Sequence, residues 1–225
     1  MKKYITILIL AAVTAISMQS CLDSGSDGPS VNIYQNVVTF TGSSDGRSNF
    51  LFQELNDSPE VSLYANVTIK GDGAVPGCRM LIAYTLDENR VYGESGPINL
   101  RQAALVYEST VTEVPADEAK AANAPIPLLT MYRTGKYINL QARLATAEGR
   151  TFRIVADEST VDTDMPHLYI TTEVPDGSIP GYDATVTASL SIAPIWDRPS
   201  VRGVKIHVNN TNNIYHQELE FLKTN

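Results

Sequence analysis

The sequence predicts an all-β protein: two strand-rich blocks behind an N-terminal export segment. Three observations carry this. Apolar and polar residues alternate with period two in several separated stretches. Turn clusters such as Gly71-Asp72-Gly73, Glu148-Gly149 and Pro175-Asp176-Gly177 stand between those stretches. Only one short Ala-rich segment has helical composition. Period two places one side of a strand inward and the other outward, which is the signature of half-buried strands.

The first element is the segment 1–20. Lys2 and Lys3 precede an apolar run from Ile5 to Ile16 that is broken only by Thr6 and Thr14, and Gln19-Ser20-Cys21 closes it. The run is shorter than the ~20 residues a membrane-spanning helix needs. A charged start, a short apolar run and a small residue at the cut make a secretory signal. Cysteine directly after the small residue makes it a lipoprotein signal, in which the Cys21 thiol takes a diacylglyceryl group and the chain is cut before it. Each buried methylene contributes ~0.8 kcal/mol and a single chain anchors only marginally, so two or three chains on Cys21 hold the protein on a membrane. Residues 21–30 have almost nothing to pack and form a flexible tether reaching roughly 15–18 Å. Leu22, not Asp, follows the cysteine, which favours the outer membrane.

The strands come next. In Val61–Lys70 the odd positions are apolar; in Ala184–Ile192 the even ones are. Further strands are expected at Val31–Phe40, Asn49–Leu55, Met80–Leu86, Ala104–Val114, Leu128–Arg133, Tyr137–Leu144, Arg150–Ala156, His167–Val174, Val201–Val208 and Ile214–Leu222. Pro115–Pro125 interrupts them. It is Ala-rich, acidic at its front and bracketed by prolines, the marks of a short helical connector. The boundary is placed there. Residues 31–114 hold about five strands and suit an OB-like β-barrel. Residues 126–225 hold seven and suit a seven-stranded β-sandwich.

Composition narrows the function. Without Lys2 and Lys3 the chain has 25 acidic residues against 15 basic ones. It lacks the positive footprint of a nucleic-acid binder. With Cys21 lipidated, Cys78 is a lone thiol and no internal disulfide can form. Its place at the start of an apolar strand gives it a packing role.

No constellation for catalysis, metal or cofactor is assigned. His207 and His216 flank the turn Asn209–Asn213 and would face each other across a hairpin, but two histidines without a third ligand make a weak metal site. There is no Gly-x-Ser-x-Gly elbow. The pairs Asp87-Glu88, Asp117-Glu118 and Asp157-Glu158 are adjacent in sequence, so their members point apart and cannot flank a glycosidic bond at the ~5–9.5 Å required. Aromatic side chains remain as the candidate ligand contacts. Tyr64 falls on the outward phase of its strand and can stack on a ligand. Trp196, in the proline-framed Ala193–Pro199 loop, offers either a stacking surface or a plug for the sandwich end. The burial habit of large aromatics favours the plug.

The stretch Gly77-Cys78-Arg79-Met80-Leu81-Ile82-Ala83-Tyr84, with Tyr137-Ile138-Asn139-Leu140 and Phe152-Arg153-Ile154-Val155-Ala156-Asp157, resembles the NigD-like lipoproteins of Gram-negative anaerobes. The likeness includes the order of export signal, acidic tether, five strands and seven strands. It implies an N-terminal OB domain, a C-terminal β-sandwich and an envelope role, with immunity against a secreted toxin one version of it. It implies no catalytic residues. A His-Asn pair found on a later sandwich strand of many members is replaced here by Leu168-Tyr169-Ile170-Thr171. The expectation is therefore a lipid-anchored, non-enzymatic binding protein whose partners are a membrane, through Cys21, and a protein or glycan ligand. A surface glycan-binding lipoprotein is the first rival and a small hydrolase the second.

Cys21→Ala is expected to abolish incorporation of an alkyne fatty acid and to release the protein from the membrane fraction or leave it uncleaved. A processed Ala variant that still partitions into detergent would refute lipidation at this site.

Overall fold

The computed structural model describes residues 4–6, 32–213 and 217–224. The cleavage site, Cys21, the tether and His216 lie outside the described residues, as does the export segment apart from Tyr4–Thr6. The chain divides into two compact units, Met1–Phe52 with Val61–Leu105, and Gln53–Glu60 with Val106–Asn225.

The first unit contains β1 (Tyr4–Thr6), β2 (Tyr34–Ser44), β3 (Arg47–Phe52), β4 (Val61–Ala65), β5 (Thr68–Lys70), β6 (Arg79–Thr85), β7 (Gly96–Pro97) and β8 (Asn99–Leu105). Six of these form one sheet in the order β7-β4-β3-β2-β6-β8, while β1 pairs with β5. Asp45 and Gly46 both have positive φ, 52° and 81°, and join Ser44 to Arg47. This is the Asp-Gly hairpin turn whose twist matches that of its strands, and it extends β2 beyond the strand expected to end at Phe40. The inward residues Val38, Phe40, Phe50, Leu63, Met80 and Ile82 make the core. Cys78 is buried among them.

The expected OB-like barrel needs correction. β7 and β8 are opposite ends of the sheet order, yet only Ile98 separates them in the chain. The sheet is rolled so that its edges meet through the backbone, with no hydrogen-bonded ladder closing it. β7 has two residues and one is Pro97, which has no N–H to donate. β5 attaches differently again. The buried Ser48 hydroxyl donates to the Val67 carbonyl at 2.7 Å and accepts from Ile69 N–H at 2.9 Å, so it is a side chain that ties β5 to β3 of the six-stranded sheet.

The second unit contains β9 (Tyr107–Thr110), β10 (Thr112–Val114), α1 (Ala116–Ala121), β11 (Leu128–Thr134), β12 (Tyr137–Ala145), β13 (Thr151–Asp157), β14 (His167–Glu173), β15 (Asp183–Ser191), α2 (Ala193–Trp196), β16 (Gly203–Val208) and β17 (Glu218–Leu222). They form two sheets, β10-β13-β14-β16-β17 and β11-β12-β15-β9. Ile138, Leu140, Ala188 and Leu190 of one sheet share a core with Ile154, Leu168, Ile170, Val204 and Ile206 of the other. The sandwich thus has nine described strands where seven were expected. The two extra ones come from the single strand expected over Ala104–Val114. At the buried Val111 the chain leaves one sheet for the other, so β9 pairs with β15 and β10 with β13. A strand that switches sheets makes a corner. The boundary consequently falls after Leu105, and Pro115–Pro125, with α1 inside it, belongs to the second unit and does not connect the two.

One buried charge organises the end of this sandwich. Arg133 in β11 has no exposed side-chain surface and holds Asp57 with two parallel hydrogen bonds of 2.7 Å. It also donates to the carbonyls of Gly135 at 2.7 Å and Leu222 at 3.1 Å. Its guanidinium lies 4.4 Å from the centre of the Trp196 ring, a favourable cation–π contact. Asp57 further accepts the Thr224 N–H and hydroxyl at 3.0 and 2.6 Å. The backbone follows the same path: Asn56 N–H donates to the Arg133 carbonyl, and Gly135 N–H to the Asn56 carbonyl, both at 2.7 Å. Gly135 has φ 54°, a conformation side chains rarely adopt, and a Cβ there would press on the Gln53 side-chain amide, so glycine suits the position.

The Arg133 hydrogen bonds hold the Asp57 carboxyl well below the usual carboxylate range; burial opposes this and Thr224 reinforces it. A depressed folded value means that the pair contributes fully above the unfolded value of ~3.9 and fades as pH falls through and below it. Asp57→Ala leaves a buried guanidinium unpaired and is expected to cost about 3 kcal/mol in urea unfolding at pH 7. The gap between variant and wild type should narrow from pH 5 to pH 3. A variant within about 0.5 kcal/mol of wild type at pH 7, the ordinary range for surface substitutions, would contradict this role.

Candidate functional site

The two candidate contacts named from the sequence fare differently. Tyr64 in β4 is half-buried and points outward, as its phase predicts, between inward Leu63 and Ala65. The Arg47 guanidinium stacks over its ring at 4.2 Å from the centroid. One ring face is therefore already covered by a cation. Trp196 is 5 % exposed and lies in the α2 turn under Arg133 and Lys223, the latter 5.4 Å from the ring centre. Of the two readings of Trp196, ligand contact or plug, its burial corrects the first and agrees with the second: α2 turns the ring inward onto a buried cation.

A second aromatic group gathers around Tyr84, with Tyr34 and Tyr92 as members that no sequence pattern singled out. Tyr34 and Tyr92 stack with ring centres 4.9 Å apart, and Tyr34 also meets Tyr84 at 5.7 Å. Asn36 joins two of them, donating to the Tyr84 hydroxyl and accepting from that of Tyr92, both at 3.0 Å. Tyr92 comes from a loop 56 residues away from Asn36, so no local pattern could have announced the pairing.

The richest chemistry lies on the outer face of the five-stranded sheet. Register builds it. Val155, Tyr169, His207 and Glu218 stand side by side across β13, β14, β16 and β17. In the neighbouring row, His167, Lys205 and Glu220 do the same. The alternation in His167–Glu173 and Gly203–Val208 sends Leu168, Ile170, Val204 and Ile206 inward, leaving His167, Tyr169, Lys205 and His207 outward. His207 stacks on Tyr169 at 4.4 Å and 13°. His207 Nε2 is 3.3 Å from His167 Nδ1, and His207 Nδ1 is 3.2 Å from Glu218 Oε1. Lys205 Nζ is 3.2 Å from Glu220. At one side α1 lies over Val155 and Tyr169 through Ala119 and Ala122.

This cluster perturbs its own titrations. Burial pushes His207 down, against the pull of Glu218. Burial pushes Tyr169 up, and the charges of Asp157 and Glu218 add to it. Asp157 is held down, first by the Ser159 hydroxyl at 2.6 Å. Titratable groups shifted together on one surface mark a candidate site.

The sequence-based pairing of His207 with His216 falls partly outside the described residues. Within them, His207 meets His167, which lies forty residues upstream. The outward phase of both histidines was readable, but the parallel pairing of β14 with β16 was not. The Asn209–Asn213 turn serves packing instead: Asn210 Oδ1 accepts from Leu128 N–H at 3.3 Å, and Asn209 Nδ2 donates to the Asn123 carbonyl at 2.8 Å. Among the described residues no group of three or more His, Cys, Asp or Glu side chains is placed to hold a metal ion.

No family model matches the chain, and neither does any curated protein sequence. Solved structures do match. A protein of unknown function from Bacteroides vulgatus superposes with a TM-score of 0.59 at 15% identity, over 86% of this chain and 91% of its own. A candidate lipoprotein from Bacteroides fragilis does so with 0.52 at 12%, over 84% and 95%. A NigD-like immunity protein from Bacteroides caccae does so with 0.55 at 16%, over 86% and 92%. At these identities the likeness is one of fold, and the all-β, two-unit architecture of this chain is similar to that of the NigD-like protein along nearly its whole length.

Proposed function

We propose that this chain is a lipid-anchored protein of the outer membrane that acts by binding a protein partner and not by catalysis. The observation that carries the proposal is the fold likeness, over more than four-fifths of both chains, to an immunity protein and to a candidate lipoprotein. The N-terminal pattern of Lys2-Lys3, apolar run and Ser20-Cys21 supports the anchor independently. A membrane anchor on a short tether raises the effective concentration of any partner on the same surface. An immunity role, in which that partner is a secreted toxin, is one form of this reading.

Glycan binding is the second reading, favoured by the outward Tyr64 with Arg47 over one ring face. A tyrosine ring that faces outward from a strand can stack on the apolar side of a sugar. The two readings separate on Tyr64→Ala, which weakens glycan binding several-fold in the second and leaves partner binding unchanged in the first.

The mature protein, tested on glycan, peptide and ester panels, is expected to show no turnover while its melting temperature rises with a bound ligand, since whatever binds the native state stabilises it. Saturable turnover that disappears when a single histidine or carboxylate is replaced, and survives Tyr64→Ala, would overturn the binding reading.

A further inference from the structure

We infer that His167 Nδ1 and His207 Nε2 form a binding site for a divalent transition-metal cation on the outer face of the five-stranded sheet, with water in the remaining positions. The argument starts from protons. Glu218 as a carboxylate can only accept, so at 3.2 Å from Oε1 the His207 Nδ1 carries the hydrogen. That fixes the tautomer and leaves the lone pair on Nε2. This lone pair faces His167 Nδ1 at 3.3 Å. With both rings neutral, the one proton in that gap sits on His167 Nδ1, and a cation takes its place when that proton shifts to His167 Nε2, so that each ring keeps one N–H and offers one lone pair.

Geometry fits a metal. Two ligands on a tetrahedral ion with bonds of ~2.0–2.1 Å are about 3.3–3.4 Å apart. The observed nitrogen separation is 3.3 Å. Imidazole χ2 is a broad torsion, so a small rotation of the His167 ring turns its Nδ1 lone pair toward the point that His207 Nε2 faces. A carboxylate on the far nitrogen of a metal-binding histidine is the usual outer-shell arrangement and raises ligand basicity. Glu218 stands in that place on His207. The Tyr169 ring stacked on His207 holds the imidazole in plane. The His207 side chain keeps 17% of its surface exposed.

Imidazole ligands suit zinc, copper and nickel and discriminate against magnesium and calcium. Two protein ligands leave open positions, so the site can also take a donor from another molecule.

Zinc titration of the mature, untagged protein by calorimetry tests this. Wild type is expected to bind one equivalent saturably, with a rise in melting temperature. His167→Gln and His207→Gln should each weaken binding at least tenfold, and Glu218→Gln about tenfold, the usual effect of an outer-shell change. All three side chains are on the outer face, and circular dichroism and metal-free melting should stay close to wild type. Were one glutamine variant to misfold, the other and Glu218→Gln still decide. The proposal is overturned by the absence of saturable binding, by unchanged affinity in the folded variants, or by loss on His216→Gln with retention on His167→Gln.

Discussion

The end of the second unit depends on a buried guanidinium. Arg133 has no exposed side-chain surface, and burying such a charge costs several kcal/mol unless it is paired and hydrogen-bonded. Its partners come from three separate parts of the sequence: Asp57, the turn at Gly135, and Leu222 at the end of β17. None of them is optional, because each missing acceptor leaves part of that cost unrelieved. The Trp196 ring covers the guanidinium face, so the same residue also seats the plug of the sandwich core. β17 is held at Leu222 by this cluster and carries Glu218 at its other end. The strand that presents the carboxylate to His207 is thus secured by Arg133.

What was legible in the sequence was whatever depends on neighbours along the chain. Period two in Val61–Ala65 and Asp183–Ser191 gave the correct inward residues, because the pleat alone decides them. The helical composition of Pro115–Pro125 became α1 for the same reason. What was not legible depends on partners far away. The break of Ala104–Val114 into β8, β9 and β10 follows from Val111 crossing between sheets, which only the surrounding core determines. The Asp45-Gly46 turn was readable and marks a hairpin that the strand assignment stopped short of. Asp57 sits in an unremarkable polar stretch, and nothing local marks it as the counter-ion of an arginine seventy-six residues later.

The candidate sites divide along the same line. The outward phase of Tyr64 was predictable, whereas its cover by Arg47 required the hairpin that places β3 beside β4. Trp196 had two readings in the sequence, and the buried cation beneath it decides for the plug. The histidine face needed both ingredients: alternation, which is local, and the parallel pairing of β14 with β16, which is not. Solved structures of similar fold include an immunity protein and a candidate lipoprotein.

The most direct measurement of the organising role of Arg133 is a double-mutant cycle in urea unfolding with Arg133→Met, Asp57→Ala and the pair. Removing both partners takes away the buried charge together with its counter-ion, so the double variant should recover much of what Asp57→Ala alone loses. A coupling of about 2 kcal/mol or more is expected for residues in one hydrogen-bonded network. Additivity within about 0.5 kcal/mol, the behaviour of independent sites, would contradict the account.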